Sequence, residues 1–115
     1  PYTHSEDFPT LGTGGRSAIG GLTYYADRYK SSDTKLPEYY SGAVFIMEWM
    51  RDWVKAVFLD ENGDKTRIED IFTDMQFAHP IDMDFGPDGS LYILEYGPIW
   101  WGQSPHAKIS RITYN

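Results

Sequence analysis

Three histidines supply the chain's imidazoles, and none has a partner at helical spacing: His4, His79 and His106 fall in three separate turn or loop regions. A shared metal centre would need the fold to gather them. His79 carries the most information, because Pro80 after it disfavours the right-handed helical region and an alternating segment begins at once. Asp82 and Asp84 lie two residues apart and share one face of that segment. Paired carboxylates in a channel could serve as acid and base; accepting backbone N–H groups is the plainer role. Trp49-Met50-Arg51-Asp52-Trp53 brackets a cation and an anion with two indoles. Arg51 there is either half of an exposed ion pair at a turn or a planar fork offered to a carboxylate at a channel mouth.

Other patterns fail on chemistry. Asp60, Asn62 and Asp64 sit at alternate positions like a calcium loop, but Lys65 stands where the glycine is needed and Ile71 where the bidentate glutamate is needed. Gly12, Gly14 and Gly15 have no preceding strand and no lysine followed by Ser or Thr to close a phosphate loop. The absence of cysteine removes disulfides, thiolate zinc sites and cysteine nucleophiles. Ten Lys and Arg against seventeen Asp and Glu leave a net charge of −7, the wrong sign for nucleic acid or an anionic membrane. The longest unbroken apolar stretch, Ala43 to Met47, is far shorter than the roughly 20 residues of a bilayer crossing. No charged leader with an apolar core opens the chain, and with Pro1 in first place it reads as a segment of a longer protein.

The elements that must position these residues are strands. Nine tyrosines, six phenylalanines and four tryptophans among eleven glycines and seven prolines favour twisted strands joined by tight turns. Strands are expected over Gly20 to Tyr25, Gly42 to Trp49, Trp53 to Leu59, Ile81 to Phe85, Leu91 to Tyr96 and Lys108 to Tyr114. Lys65 to Thr73 is read as a strand, although its apolar spacing also suits a helical turn. Asn62-Gly63 marks a hairpin with positive φ at both central positions, and Gly86-Pro87-Asp88-Gly89 marks another. Residues 1–15 read as loop.

Four strands followed by three suggest an all-β partial β-propeller: a loop and four-stranded blade over residues 1–74, then a three-stranded incomplete blade over 75–115. A small sandwich with a helix at 65–73 is the alternative. In the propeller the Ile81 strand is innermost and His79 faces the central channel.

Phe8 to Ala18 (FPTLGTGGRSA), Leu36 to Gly42 (LPEYYSG), Glu48 to Trp53 (EWMRDW) and His79 to Tyr92 (HPIDMDFGPDGSLY) together resemble the glucose/sorbosone dehydrogenase family, soluble quinoproteins related to pyrroloquinoline-quinone-dependent glucose dehydrogenase. The likeness continues through Leu94-Glu95-Tyr96-Gly97 and Ile109-Ser110-Arg111-Ile112. The resemblance implies a six-bladed propeller with pyrroloquinoline quinone and calcium above the channel, oxidising a sugar hydroxyl or aldehyde with hydride transfer to the quinone. It implies an extracytoplasmic location, and a sugar and an electron acceptor as the parent's partners. The family's catalytic base and calcium ligands come from earlier blades and map to no residue of this chain, which alone would be inactive. Its quinone-binding arginines at a late inner strand align with His79 and Ile81, and its late lysine with Met50, beside Arg51. His79 and Arg51 are therefore the expected cofactor-binding residues. A non-catalytic propeller is the rival reading, binding carbohydrate or protein with Trp49, Trp53, Trp100 and Trp101 as stacking platforms. Blades without neighbours would expose apolar faces and strand edges, so self-association is expected as well.

Overall fold

The computed structural model describes residues 9–12, 14–15, 17–98 and 106–114. Seven strands, β1 (Ala18–Thr23), β2 (Val44–Glu48), β3 (Trp53–Leu59), β4 (Lys65–Asp70), β5 (Pro80–Phe85), β6 (Leu91–Glu95) and β7 (Lys108–Ile112), form two antiparallel sheets. The first has the order β1-β2-β3-β4 and the second β5-β6-β7. The described residues are thus all-β, with only short 3-10 turns besides, and none of their helices is long and apolar enough to cross a membrane.

Lys65 to Asp70 is strand, so the helix of the sandwich alternative is not formed. Its Arg67 ring-stacks over Phe58 and its Ile68 pairs with Val57, cross-strand contacts that outweigh a weak helical spacing. β1 starts two residues earlier than its sequence suggests, because Gly20 and Gly21 carry no pattern and sit at a register irregularity between Ile19 and Leu22. Pro80 opens β5, the strand position that tolerates a missing N–H.

The two hairpins share one turn. Gly63 N–H donates to Asp60 O at 3.0 Å and Gly89 N–H to Gly86 O at 3.0 Å, with φ of 82° at Gly63 and 79° at Gly89. Only the glycine is left-handed, so Asn62-Gly63 is a four-residue turn closed by a left-handed glycine and not the two-residue kind with two positive φ angles. Asp60 accepts the N–H groups of Asn62 and Asp64, both at 2.9 Å, which uses its carboxylate within the turn.

β2 and β6 occupy the same place in their sheets and have related sequences, Val44-Phe45-Ile46-Met47-Glu48-Trp49 and Leu91-Tyr92-Ile93-Leu94-Glu95-Tyr96. Yet they bury opposite faces. Phe45 and Met47 are in the core where their counterparts Tyr92 and Leu94 are not; Leu91 and Ile93 are in the core where Val44 and Ile46 are only half-buried. The neighbouring strands agree: Val54 is buried and its counterpart Ile109 exposed. Equivalent sheets packed through unlike faces are related by a head-to-tail step, like successive pages, and not by a face-to-face two-fold.

Between the sheets, Tyr24, Phe45 and Phe85 form the core, with ring centroids 5.1 Å apart for Tyr24–Phe85 and 5.8 Å for Phe45–Phe85. Each such pair contributes roughly 0.5–1.5 kcal/mol beyond area burial. Burial, with the neighbouring Tyr29 and Glu38, pushes the Tyr24 hydroxyl up to about 12, and it donates to Leu36 O at 2.5 Å. The long connection between β1 and β2 straps across to the second sheet. Thr34 donates its hydroxyl to Asp88 at 2.8 Å and Ser32 to the Asp88 carbonyl, while Arg111 reaches the same carboxylate at 2.5 Å. The Ser90 backbone N–H, the Thr34 and Ser90 hydroxyls and Arg111 hold the Asp88 carboxyl well below the usual carboxylate range.

A Cβ on Gly89 would lie 2.7 Å from Lys35 Cβ and 2.9 Å from Tyr29 Cγ, whereas one on Gly63 meets nothing within 4 Å. Gly63→Ala should therefore cost only the left-handed strain, about 1–2 kcal/mol, and Gly89→Ala at least twice that, measured by denaturant unfolding. Equal losses would contradict the turn packing. The pH dependence follows from Asp88. Its folded pKa lies below an unfolded value near 3.9, so its contribution is complete above about pH 4 and is lost as pH falls toward the folded value. Melting curves should show a smaller acid loss for Asp88→Asn than for the unaltered chain.

Candidate functional site

Glu48 and Glu95 end their strands fully inside the protein, at 0% and 1% exposure. A carboxylate so placed needs donors, and both find them in the same way. Glu48 Oε1 accepts the N–H of Ser17, just before β1, and that of Met50 at 3.1 Å. Glu95 Oε1 accepts the N–H of Ala78, just before β5, at 2.8 Å; its Oε2 accepts the Ser110 hydroxyl and faces Lys108 Nζ at 3.9 Å. Among the described residues no buried side-chain nitrogen or oxygen lacks a partner. Backbone bonds continue the device: Trp49 N–H donates to Ser17 O at 3.0 Å, and Tyr96 N–H to His79 O at 2.9 Å. The segment after each glutamate is thereby locked to the start of the first strand of its sheet.

That lock sets up the turn 49–52 and brings His79 to it. His79 Nδ1 lies 2.6 Å from Trp49 O and 3.1 Å from Asp52 Oδ1, and its backbone N–H donates to Asp52 Oδ1 at 2.8 Å. Two acceptors at Nδ1 assign the ring hydrogen there. Nε2 makes no hydrogen bond among the described residues and is the nitrogen left to accept one. The ring stacks on Trp49 with centroids 4.4 Å apart, and Tyr96 meets the indole edge-on at 6.1 Å. Asp52 and His79 both have positive φ, 58° and 55°. Each such non-glycine residue stores of order 1–3 kcal/mol, and here the two strained residues hold each other.

Arg51 turns the other way. Its Nε donates to Gly15 O at 2.8 Å, Nη1 to Leu11 O at 2.7 Å and Gly12 O at 2.9 Å, and Nη2 to Gly14 O at 3.2 Å. The glycine-rich loop therefore presents carbonyls to a guanidinium, the opposite polarity to a phosphate loop. Trp53 Nε1 adds a bond to Leu11 O at 3.1 Å. Three of the sequence phrases that carry the resemblance, those around residues 11–18, 48–53 and 79, thus meet at one end of the two sheets. Arg51 and His79 are both at this end but in separate networks, with Asp52 between them.

Asp82 and Asp84 are exposed on one face of β5, and each accepts the N–H of the next residue, at 2.9 and 2.8 Å. Trp49 and Trp53 are spent on His79 and on Leu11 and Lys55. His4, Trp100 and Trp101 lie outside the described residues, and no three His, Asp or Glu side chains among the described ones gather as a metal ion requires. Sequence reasoning missed Glu48 and Glu95; the repeated strand-Glu-aromatic pattern was the signal that could have found them. Comparison of the chain with family models, curated proteins and solved structures finds no match.

Arg51→Ala should release the loop at 11–15 while leaving the sheets paired. Limited proteolysis read by mass spectrometry should show cleavage there at least about tenfold faster than in the unaltered chain; an unchanged rate would contradict the clamp.

Proposed function

We propose that this chain forms two successive blades of a sugar-dehydrogenase-type β-propeller and lends the end of its axial cavity a hydroxyl-binding wall centred on His79. The single observation that carries the reading is the paired strain of Asp52 and His79, which fixes Nδ1 and leaves Nε2 as an acceptor. Support for the architecture comes from the head-to-tail packing of equivalent sheets, the relation a radial repeat needs and a two-fold sandwich lacks. Support for the family comes from the convergence of its phrases on one site.

In the intact parent the proposed reaction is oxidation of a sugar hydroxyl or aldehyde with hydride passing to pyrroloquinoline quinone. The side chains described do not fit the quinone itself. Of the described cations at this end, Arg51 is set against four loop carbonyls and Lys108 against the buried Glu95. Among the described residues no three His, Asp or Glu side chains gather that could hold calcium. Quinone and calcium would rest on other residues of the parent, outside the cytoplasm as the resemblance implies. This chain's share is orientation: the imidazole pinned by Trp49 and Asp52 meets a sugar hydroxyl at Nε2, and its strained backbone keeps the ring from turning away.

The test is turnover by the full-length parent supplied with quinone, calcium, a panel of aldoses and an artificial electron acceptor. Sugar-dependent dye reduction is expected. His79→Phe, which keeps the stack on Trp49 and removes the nitrogens, should raise KM for the sugar about five- to tenfold, the worth of one neutral hydrogen bond. No reduction with any sugar would remove the enzyme reading; an unchanged KM would remove His79 from it.

A further inference from the structure

Two turns of this chain share one shape and have opposite surroundings. In each, a glycine of positive φ donates its N–H to a carbonyl earlier in the turn, Gly63 to Asp60 and Gly89 to Gly86. In each, the residue before the glycine has a short side chain ending in a carbonyl carbon, the carboxamide of Asn62 and the carboxylate of Asp88. A backbone nitrogen can close a ring on such a side chain when it belongs to glycine, which sets no Cβ beside the attacking atom. The second turn is guarded against this. Gly89 is buried, and Lys35 and Tyr29 stand against the place a Cβ would take. Thr34, Ser90 and Arg111 tie the Asp88 carboxylate and hold it ionised, a form with no leaving group. The first turn has no such guard. Asn62 and Gly63 are exposed, a Cβ at Gly63 would meet nothing within 4 Å, and the carboxamide can release ammonia. Of the two asparagines in the chain only Asn62 precedes a glycine.

We infer that Asn62 is a site of spontaneous covalent modification, opened and closed by Asp60. Gly63 gives its amide proton to water, its nitrogen bonds to Asn62 Cγ, and the bond from Cγ to Nδ2 breaks to release ammonia, leaving a cyclic imide. Water then opens the ring. Addition at Cγ yields aspartate; addition at the backbone carbonyl carbon of residue 62 yields isoaspartate, with the main chain rerouted through the side chain. In the folded chain Asp60 restrains the first step. Its carbonyl accepts the Gly63 N–H, and its carboxylate accepts the N–H groups of Asn62 and Asp64, so the nitrogen is engaged until the turn opens. Such an opening is local, because exposed hydrogen bonds at a hairpin tip break without the sheets. Either product adds a negative charge beside Asp60, Glu61 and Asp64, and isoaspartate adds a backbone carbon to the turn that sets β4, the last strand of its sheet, against β3. The inference is independent of any role for His79, since this turn lies at the end of β3 away from Asp52.

The test is incubation of the folded chain in warm, mildly alkaline buffer, with peptide mapping by mass spectrometry and isoaspartate methyltransferase labelling to separate the two products. Conversion of amide to acid is expected at Asn62, with isoaspartate among the products. Asp60→Ala should speed it about tenfold in the folded chain, the worth of the hydrogen bonds removed, and leave the rate in urea unchanged. Asp88→Asn places the same dipeptide in the covered turn; there position 88 should convert at least about tenfold more slowly than Asn62 in the folded chain and at a similar rate in urea. An Asn62 still intact in the folded chain when the chain in urea is fully converted would overturn the inference. Aspartate as the sole product would overturn the ring closure, since direct hydrolysis of the amide gives nothing else. An unchanged rate in Asp60→Ala would remove Asp60 as the restraint, and equal folded-state rates at the two positions of Asp88→Asn would remove the contrast on which the assignment rests.

Discussion

Two carboxylates removed from water govern this molecule. Glu48 and Glu95 each end a central strand in full burial, where an ionised group is tolerated only if hydrogen-bonded. Each accepts a backbone N–H at the start of the adjoining first strand, Ser17 in one sheet and Ala78 in the other. Satisfying them pins the chain ends of β1 and β5 against the turns after β2 and β6. The crossing at Trp49, Asp52 and His79 is built on that pinning, and so is the loop that Arg51 gathers. Left-handed backbone at Asp52 and His79 persists because these neighbours over-determine it.

The same repeated device shows what relates the sheets. They are equivalent in strand order, in the position of the glutamate and in the aromatic residue after it, but they turn unlike faces to one another. That geometry makes the two ends of the sheets unlike. The end carrying the glutamates is polar and strained, while the opposite end is held by the aromatic cluster of Tyr24, Phe45 and Phe85 and by the strap onto Asp88. A ligand site at the first end would thus rest on a scaffold whose two sheets cannot shear without breaking the second.

Much of this was legible in the sequence. All seven strands could be read, because half-buried strands must alternate and Gly, Pro and Asp must turn the chain between them. The strand at Lys65–Asp70 was ambiguous since its stabilising partners, Phe58 and Val57, are across a ladder that periodicity cannot see. The following proline singled out His79 in the sequence, but its positive φ had no signal there, because that angle is imposed by Asp52 and Trp49 from another sheet. Arg51 was recognised as a fork; its acceptors, the carbonyls of a glycine-rich loop, have no side-chain signature at all.

The most direct test of the buried-carboxylate lock is native-state hydrogen exchange at two amides outside every strand ladder, Ser17 and Ala78. Both should be protected nearly as well as the ladder amides of β2 and β6, because each opens only when a buried glutamate loses its donor. Exchange at the fast rate of the exposed turn residue Glu61 would show that the carboxylates do not hold the strand starts, and the account of the site would fail with it.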